Sequence, residues 1–375
     1  MTSNENRLKT KRSLMSLIQI LVPIAFLLIL VVINLIHDPS FFKIGLEPSS
    51  AGNLQLSGNI ISIVDYASEL AILAIGMTLV TAASGGQDIS VGATIAIAGS
   101  VVLNIVKRYS PDISSQKFIG IIILAFLLSV LVSAAFGAFN GSLVAFFKIQ
   151  PMVATLILFT AGRSIAAWIN NNENISIADP RFGYFGGFIP GIVIPTPVLI
   201  SVLCMIVIAV VLKFTNLRLY AQAVGINSSS SRLNGINPQI IKLLCFIILG
   251  VCVAVCGLIK VSRTASITYS VIAANIELDA ILAVALGGNN LGGGKFNIAS
   301  SIVGAYVIQF LTTTLLNFNV SSDAISFWKG VAVLALIISS SPYIRRTWTD
   351  IKNKREAARA QEQVQPQNTV KEEGV

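Results

Sequence analysis

The feature that most constrains this chain is a succession of apolar runs, each about the length of a membrane-crossing helix and divided from the next by a short polar stretch. Crossing the hydrocarbon layer takes roughly 20 mostly apolar residues. Runs of that kind fall at about 17–37, 58–83, 89–106, 119–139, 152–169, 192–212, 240–260, 270–288, 298–318 and 323–341. Backbone polar groups in lipid must be satisfied within the protein, which leaves helices for segments of this length. The expected fold class is all-α, a polytopic membrane helix bundle of about ten transmembrane helices. Hydrophobic residues at 54% and charged residues at 11% are also too apolar a mixture for one aqueous core.

The net charge of +9 reports topology, because the basic residues gather in the tails and loops and form no face interleaved with aromatics, so no nucleic acid is expected. Arg7, Lys9, Lys11 and Arg12 precede the first run, and Arg345, Arg346, Lys352, Lys354 and Arg355 follow the last. An even number of spans and the positive-inside rule then place both termini in the cytoplasm. The loop at 213–239, with Lys213, Arg218 and Arg232, falls on the same side. The loop from Asn170 to Gly191 falls outside, and so does the one holding Lys107, Arg108 and Lys117, against the rule. Residues 1–16 are read as a basic cytoplasmic tail, 17–342 as the transmembrane domain and 343–375 as a cytoplasmic tail too polar to order itself. A signal peptide at the start is disfavoured, because the run is long and no small-residue cleavage site precedes His37, Asp38 and Pro39.

Two regions echo each other. Ala71 to Gly99 runs through a break at Gly85 and Gly86, and Leu278 to Gly304 through one at Gly287, Gly288 and the glycines up to Gly294. Internal repeats in transporters tend to place the pathway at their interface, whereas membrane glycines also serve close helix packing.

Ionisable groups within the runs are few: Asp65, Glu69, Asp88, Arg163, Glu277, Asp279 and Lys329. Each must face protein or water. Glu277 and Asp279, two apart, cannot share a helical face. Asp88 can cap the helix that follows it through Ser90 or the backbone amides, or it can line a pathway. His37 is the sole histidine, so no metal cluster or general-base set can be assembled. The run Gly287 to Lys295 fails as a phosphate loop because its spacing is off by one and Phe296 stands where Ser or Thr would hold magnesium. No ATPase site, cofactor or metal is therefore expected. Cys204, Cys245, Cys252 and Cys256 lie in apolar runs as packing residues.

Gly76-Met77-Thr78-Leu79-Val80 leading into Gly85-Gly86-Gln87-Asp88-Ile89-Ser90-Val91-Gly92 resembles the signature of the ribose-type sugar permeases of ABC transporters. Gln150-Pro151-Met152-Val153-Ala154-Thr155-Leu156 with Ala161-Gly162-Arg163 is similar to that family's fifth span. Gly225-Ile226-Asn227 with Arg232-Leu233-Asn234-Gly235-Ile236-Asn237 resembles its cytoplasmic coupling loop, and Glu277-Leu278-Asp279-Ala280-Ile281-Leu282-Ala283 entering Gly287-Gly288 its eighth span. Gln87 departs from the family by standing at a usually apolar position, and Ser228 to Ser231 replace an often alanine-rich stretch.

The resemblance implies a half-transporter in a prokaryotic cell membrane. Its partners would be a second permease chain, identical or homologous, two cytoplasmic ATP-binding subunits and an extracytoplasmic sugar-binding protein. It also implies a monosaccharide cargo, ribose-, galactofuranose- or fructose-like. Gly225, Asn227, Arg232, Leu233 and Gly235 would then serve ATPase coupling, with Val224 to Asn237 as one short helix bracketed by Gly225 and Gly235. Gln87, Asp88, Asn140, Asn275, Glu277 and Asp279 are the candidates for the substrate pathway, the carboxylates alternatively only capping helices. Arg163 and Arg181 are candidates for meeting the binding protein. A secondary carrier coupled through Glu277 and Asp279 is the competing function, and an integral membrane enzyme is a third.

Overall fold

A computed structural model describes residues 23–48, 54–109 and 115–340. The basic clusters of both tails and the expected disordered terminus lie outside the described residues. The helices are α1 (Pro23–His37), α2 (Asn59–Ser84), α3 (Val91–Tyr109), α4 (Ser115–Ala145), α5 (Pro151–Ile169), α6 (Thr196–Phe214), α7 (Leu217–Ile226), α8 (Ser228–Leu233), α9 (Pro238–Thr264), α10 (Ile276–Leu286), α11 (Ile298–Asn317) and α12 (Ser322–Ser340). Among the described residues, seven are long and apolar enough to cross a membrane: α2 to α6, α9 and α11. Two short antiparallel pairs, the hairpin β1 (Gly45–Pro48) with β2 (Leu54–Ser57) and the long-range pair β3 (Ile175–Ser176) with β4 (Ser266–Ile267), are the only sheet described. The polytopic helical class is borne out.

Local chemistry sets the helix ends. Proline opens α5 and α9 at a position whose amide has no intrahelical partner. Asn237 caps α9, its Oδ1 accepting from Gln239 N at 3.0 Å. α2 stops at Gly85, which turns left-handed at φ 70° while its N–H donates to Thr81 O at 3.0 Å.

One body reaches to Ser326, and a second unit begins at Phe327. In the second, Phe327 and Trp328 meet edge to face at 5.5 Å. In the first, α2 is buried almost all round from Ala67 to Ala83 and forms the axis. α4 and α9 lie along each other through small residues: Gly137 and Gly141, a small-xxx-small pair, approach Phe246, and the space for a side chain at Gly250 is taken by the Ser133 carbonyl. The opposite face of α4 exposes Leu124, Leu127 and Leu131, and α6 exposes Leu203, Ile206 and Val210. Such faces suit lipid.

Two of the intramembrane charges expected to need partners find them between α2 and α9. Arg263 reaches Glu69 at 2.6 Å and Asp65 at 3.0 Å, and Lys260 reaches Glu69 at 2.9 Å. Arg263 also lies 4.1 Å over the Tyr66 ring and donates from Nε to Gly186 O at 3.2 Å.

The expected span at 270–288 is not one continuous helix. Ala273 and Asn275 sit at φ 53° and 64°, which interrupts helical hydrogen bonding, and only α10, 11 residues long, remains. That is about 16 Å of helix, half a crossing. Hydropathy registers the apolar character of this stretch but carries no information on its continuity. Ile267 packs at the position of Gly99, and Ala273 O lies where a Cβ of Gly92 would be 2.8 Å away. The non-helical segment 268–275 thus descends along α3 by about 10 Å.

Candidate functional site

The two glycine breaks, separated by some two hundred residues, touch. A Cβ on Gly85 would come 3.0 Å from Gly292 O, and Gly294 N donates to Ala82 O at 2.9 Å. Gln87, the residue that departs from the family pattern, donates from Nε2 to Leu291 O at 3.0 Å and so links one break to the other. The second break is bolted to α2 by Asn289: its Nδ2 donates to Ser301 Oγ at 2.7 Å, and Thr78 Oγ1 bonds the same Ser301 at 2.7 Å. Gly287 packs flat on Ser300 and Ser301, where no side chain could fit, and Gly288 turns left-handed at φ 70°. Gly86 rests against Pro151 at the start of α5.

Beyond the first break, Asp88 caps α3. Its Oδ1 accepts from Ser90 N at 2.8 Å and Ser90 Oγ at 2.6 Å, and its Oδ2 accepts from Asn140 Nδ2 at 3.3 Å. Asn140 Nδ2 also donates to Ser90 Oγ at 2.9 Å, and Ile89 N to Thr155 Oγ1 at 3.1 Å. Three segments, the first break, α4 and α5, therefore converge on the amino end of α3. Glu277 joins them from α10, its Oε2 crowded against Gly92. Asn140 Oδ1 and Glu277 Oε2 are both buried there without a hydrogen-bond partner.

Of the sequence candidates, Gln87, Asp88, Asn140 and Glu277 are thus gathered around the breaks, all buried. Asp279 is half-buried on the other side of α10, as the two-residue spacing demands. Asn275 is exposed at the left-handed residue before α10 and makes no capping bond. The cap through Ser90 is the one that the Asp88-x-Ser90 spacing offers in the sequence. The partners Thr155 and Gly92 lie on other elements or farther along the chain, and no local signal pointed to them.

The expected single helix from Val224 to Asn237 is instead two pieces. α7 ends at Ile226, Asn227 turns the chain, and α8 holds six residues. The physical reason is Asn227, whose Oδ1 accepts from Ser230 N at 3.0 Å and starts a new helix where a continuous one would run through. Gly225 is therefore no bracket. It sits inside α7, stacked on the Ala82 carbonyl and with room for only 2.6 Å between a Cβ and Gly294 N, directly over the hydrogen bond that joins the breaks. Gly235, at φ 80° with open space around it, does bracket α8. Leu233 is 89% exposed at the tip. Arg232 and Gly235 border a polar cleft of about 630 Å³ with Lys148, Gln150 and Lys242.

Arg163 does not project outward: Nη1 donates to the carbonyls of Tyr269 and Ile272 at 3.0 and 3.1 Å, holding the irregular segment before α10. Arg181 chelates Asp179 and lies 4.5 Å over Phe118. Those bonds from Arg181 hold the Asp179 carboxyl below the usual range.

A helical membrane body with two touching breaks, and a helix of a polar loop seated on their junction, has the build of a transport permease. The family described as branched-chain amino acid transport system / permease component matches residues 59–340, and the chain belongs to it. It is 38% identical over 320 residues to a galactofuranose transporter permease of Escherichia coli K12, covering 85% of this chain and 88% of that one. It is 32% identical over 337 residues to a fructose import permease of Bifidobacterium longum, covering 88% and 90%. A ribose import permease of Escherichia coli K12 is 32% identical over 316 residues, 83% and 90% of the two chains. No solved structure matches. The resemblance to ribose-type sugar ABC permeases is thereby borne out.

Proposed function

We propose that this chain is the membrane-spanning half of an ATP-driven importer for a ribose-, galactofuranose- or fructose-like monosaccharide. It works with a second permease chain, two cytoplasmic ATP-binding subunits and an extracytoplasmic binding protein. The observation that carries the reading is the seat of Gly225 on the bond between the breaks. A push on α7 and α8 from an ATPase reaches the breaks through backbone contact, with no flexible side chain between. The basic cleft beside Arg232 suits an acidic side chain of that subunit.

The pathway in this reading passes the amino end of α3. Asn140 Oδ1 and Glu277 Oε2 are buried acceptors in want of donors, and a sugar offers hydroxyls. The segment 268–275, with Thr268, Ser270 and Asn275 exposed, supports the same side: irregular backbone at membrane depth is tolerated only against protein or water. In the transporter reconstituted with its partners, Asp88→Asn, Glu277→Asn and Asp279→Asn are each expected to change the sugar dependence of uptake with the amount of folded chain retained. Unchanged sugar dependence in all three, with only protein yield altered, leaves the carboxylates as helix caps.

The topology has its own measurement. With the native cysteines replaced, cysteine at Asn172 or Gly183 should react with a membrane-impermeant thiol reagent in intact cells, and cysteine at Leu233 only once the membrane is opened. The reverse pattern inverts the orientation, with both termini outside.

A further inference from the structure

A groove of about 500 Å³ runs between α2, α6 and α11, and touches the second break at Asn297, whose N–H donates to Asn289 Oδ1 at 2.6 Å. Its two ends differ in chemistry. The deep part is wholly apolar, reaching Ile75 and Met205, while Lys213 and Arg218 stand at the mouth where α6 ends and α7 begins. Both cations are exposed, and neither is paired with a carboxylate among the described residues. Small side chains at Ala209 and Ala299 leave the space open. From Leu212 to Met205 the groove rises about 10 Å along α6, against the roughly 15 Å hydrocarbon depth of one leaflet.

We infer that this groove is a binding site for an anionic phospholipid, with an acyl chain between α6 and α11 and the phosphate held by Lys213 and Arg218. A polar mouth over an apolar shaft matches an amphipathic ligand, and the two unpaired cations select for a negative headgroup. Basic pockets between membrane helices bind anionic headgroups by this attraction. The site lies outside the sugar pathway but not outside the machine. Arg218 belongs to the helix that carries Gly225, and Ala299 to the helix that follows the second break, so a bound lipid ties both to α6.

The test uses the full-length chain, delipidated in detergent and titrated with phosphatidylglycerol or phosphatidylcholine, with bound lipid counted by native mass spectrometry. The wild type is expected to hold one phosphatidylglycerol in preference to phosphatidylcholine. The exposed double variant Lys213→Gln/Arg218→Gln should bind it about thirtyfold more weakly, two basic side chains' worth. Ala209→Phe should lose the bound lipid of either kind while eluting at the wild-type volume in gel filtration. Equal retention of phosphatidylglycerol by the wild type and the double variant overturns the proposal, as does equal affinity of the wild type for both lipids. So does a second copy of the chain that cross-links through cysteine at Ala209 and shuts lipid out.

Discussion

Gly225→Ala is expected to lower the stability of the purified chain by about 3 kcal/mol, the upper end for overpacking, and to abolish ATP-driven uptake in the reconstituted transporter. The single added methyl would overlap the Ala82 carbonyl and stand 2.6 Å from Gly294 N. Both obstacles are backbone, and both are members of one hydrogen bond between the breaks. Neither can rotate aside as a side chain would, so α7 must lift off the junction or the bond must open. Gly235→Ala, ten residues on, supplies the contrast. Nothing lies within 4 Å of a Cβ there, and the cost is the left-handed backbone alone, about 1–2 kcal/mol, with Gly235→Asn cheaper still. Thermal unfolding and uptake measured side by side decide the matter. A Gly225→Ala chain with wild-type stability and transport would show that α7 does not press on the breaks.

Arg263→Met should destabilise the chain by about 3–5 kcal/mol, the range for removing one partner of a buried pair. Glu69 is 1% exposed and is held by Arg263 on one oxygen and Lys260 on the other. Without Arg263, Asp65 and Glu69 face a single Lys260, two carboxylates to one cation. The double variant Glu69→Gln/Arg263→Met restores the balance, leaving Asp65 with Lys260. Its loss should fall short of the summed single losses by about 0.5–3 kcal/mol, the usual coupling within a charge network. Thermal midpoints of the four chains give that cycle, and strict additivity would mean that the quartet does not act as a unit. Arg263 also holds Gly186 O, so the single variant should in addition speed hydrogen exchange in the loop around Gly186.

Much of the architecture was open to inspection in the sequence. Runs such as 58–83 and 240–260 had to be helices because lipid offers their backbone no other partner, and the structure gives α2 and α9 there. The Asp88-x-Ser90 cap is a two-residue pattern and equally local. The eighth run misled because an apolar count is blind to left-handed residues at Ala273 and Asn275, and the polar loop at 213–239 misled because Asn227 could continue a helix or start one. Gly225 and Gly235 read alike as brackets in a polar loop.

By itself, then, the sequence determined that this is a helical membrane protein, where most of its helices run and which two regions are broken by glycine, since each of these depends on residues a few places apart and on the solvent around them. Only the tertiary structure decided that the breaks meet, that Gln87 joins them at Leu291, that Gly225 sits on their shared hydrogen bond and that Arg163 turns inward to carbonyls. Those contacts join residues from about seventy to more than two hundred positions apart. Their partners are chosen by how whole helices pack, which no local pattern of polarity encodes.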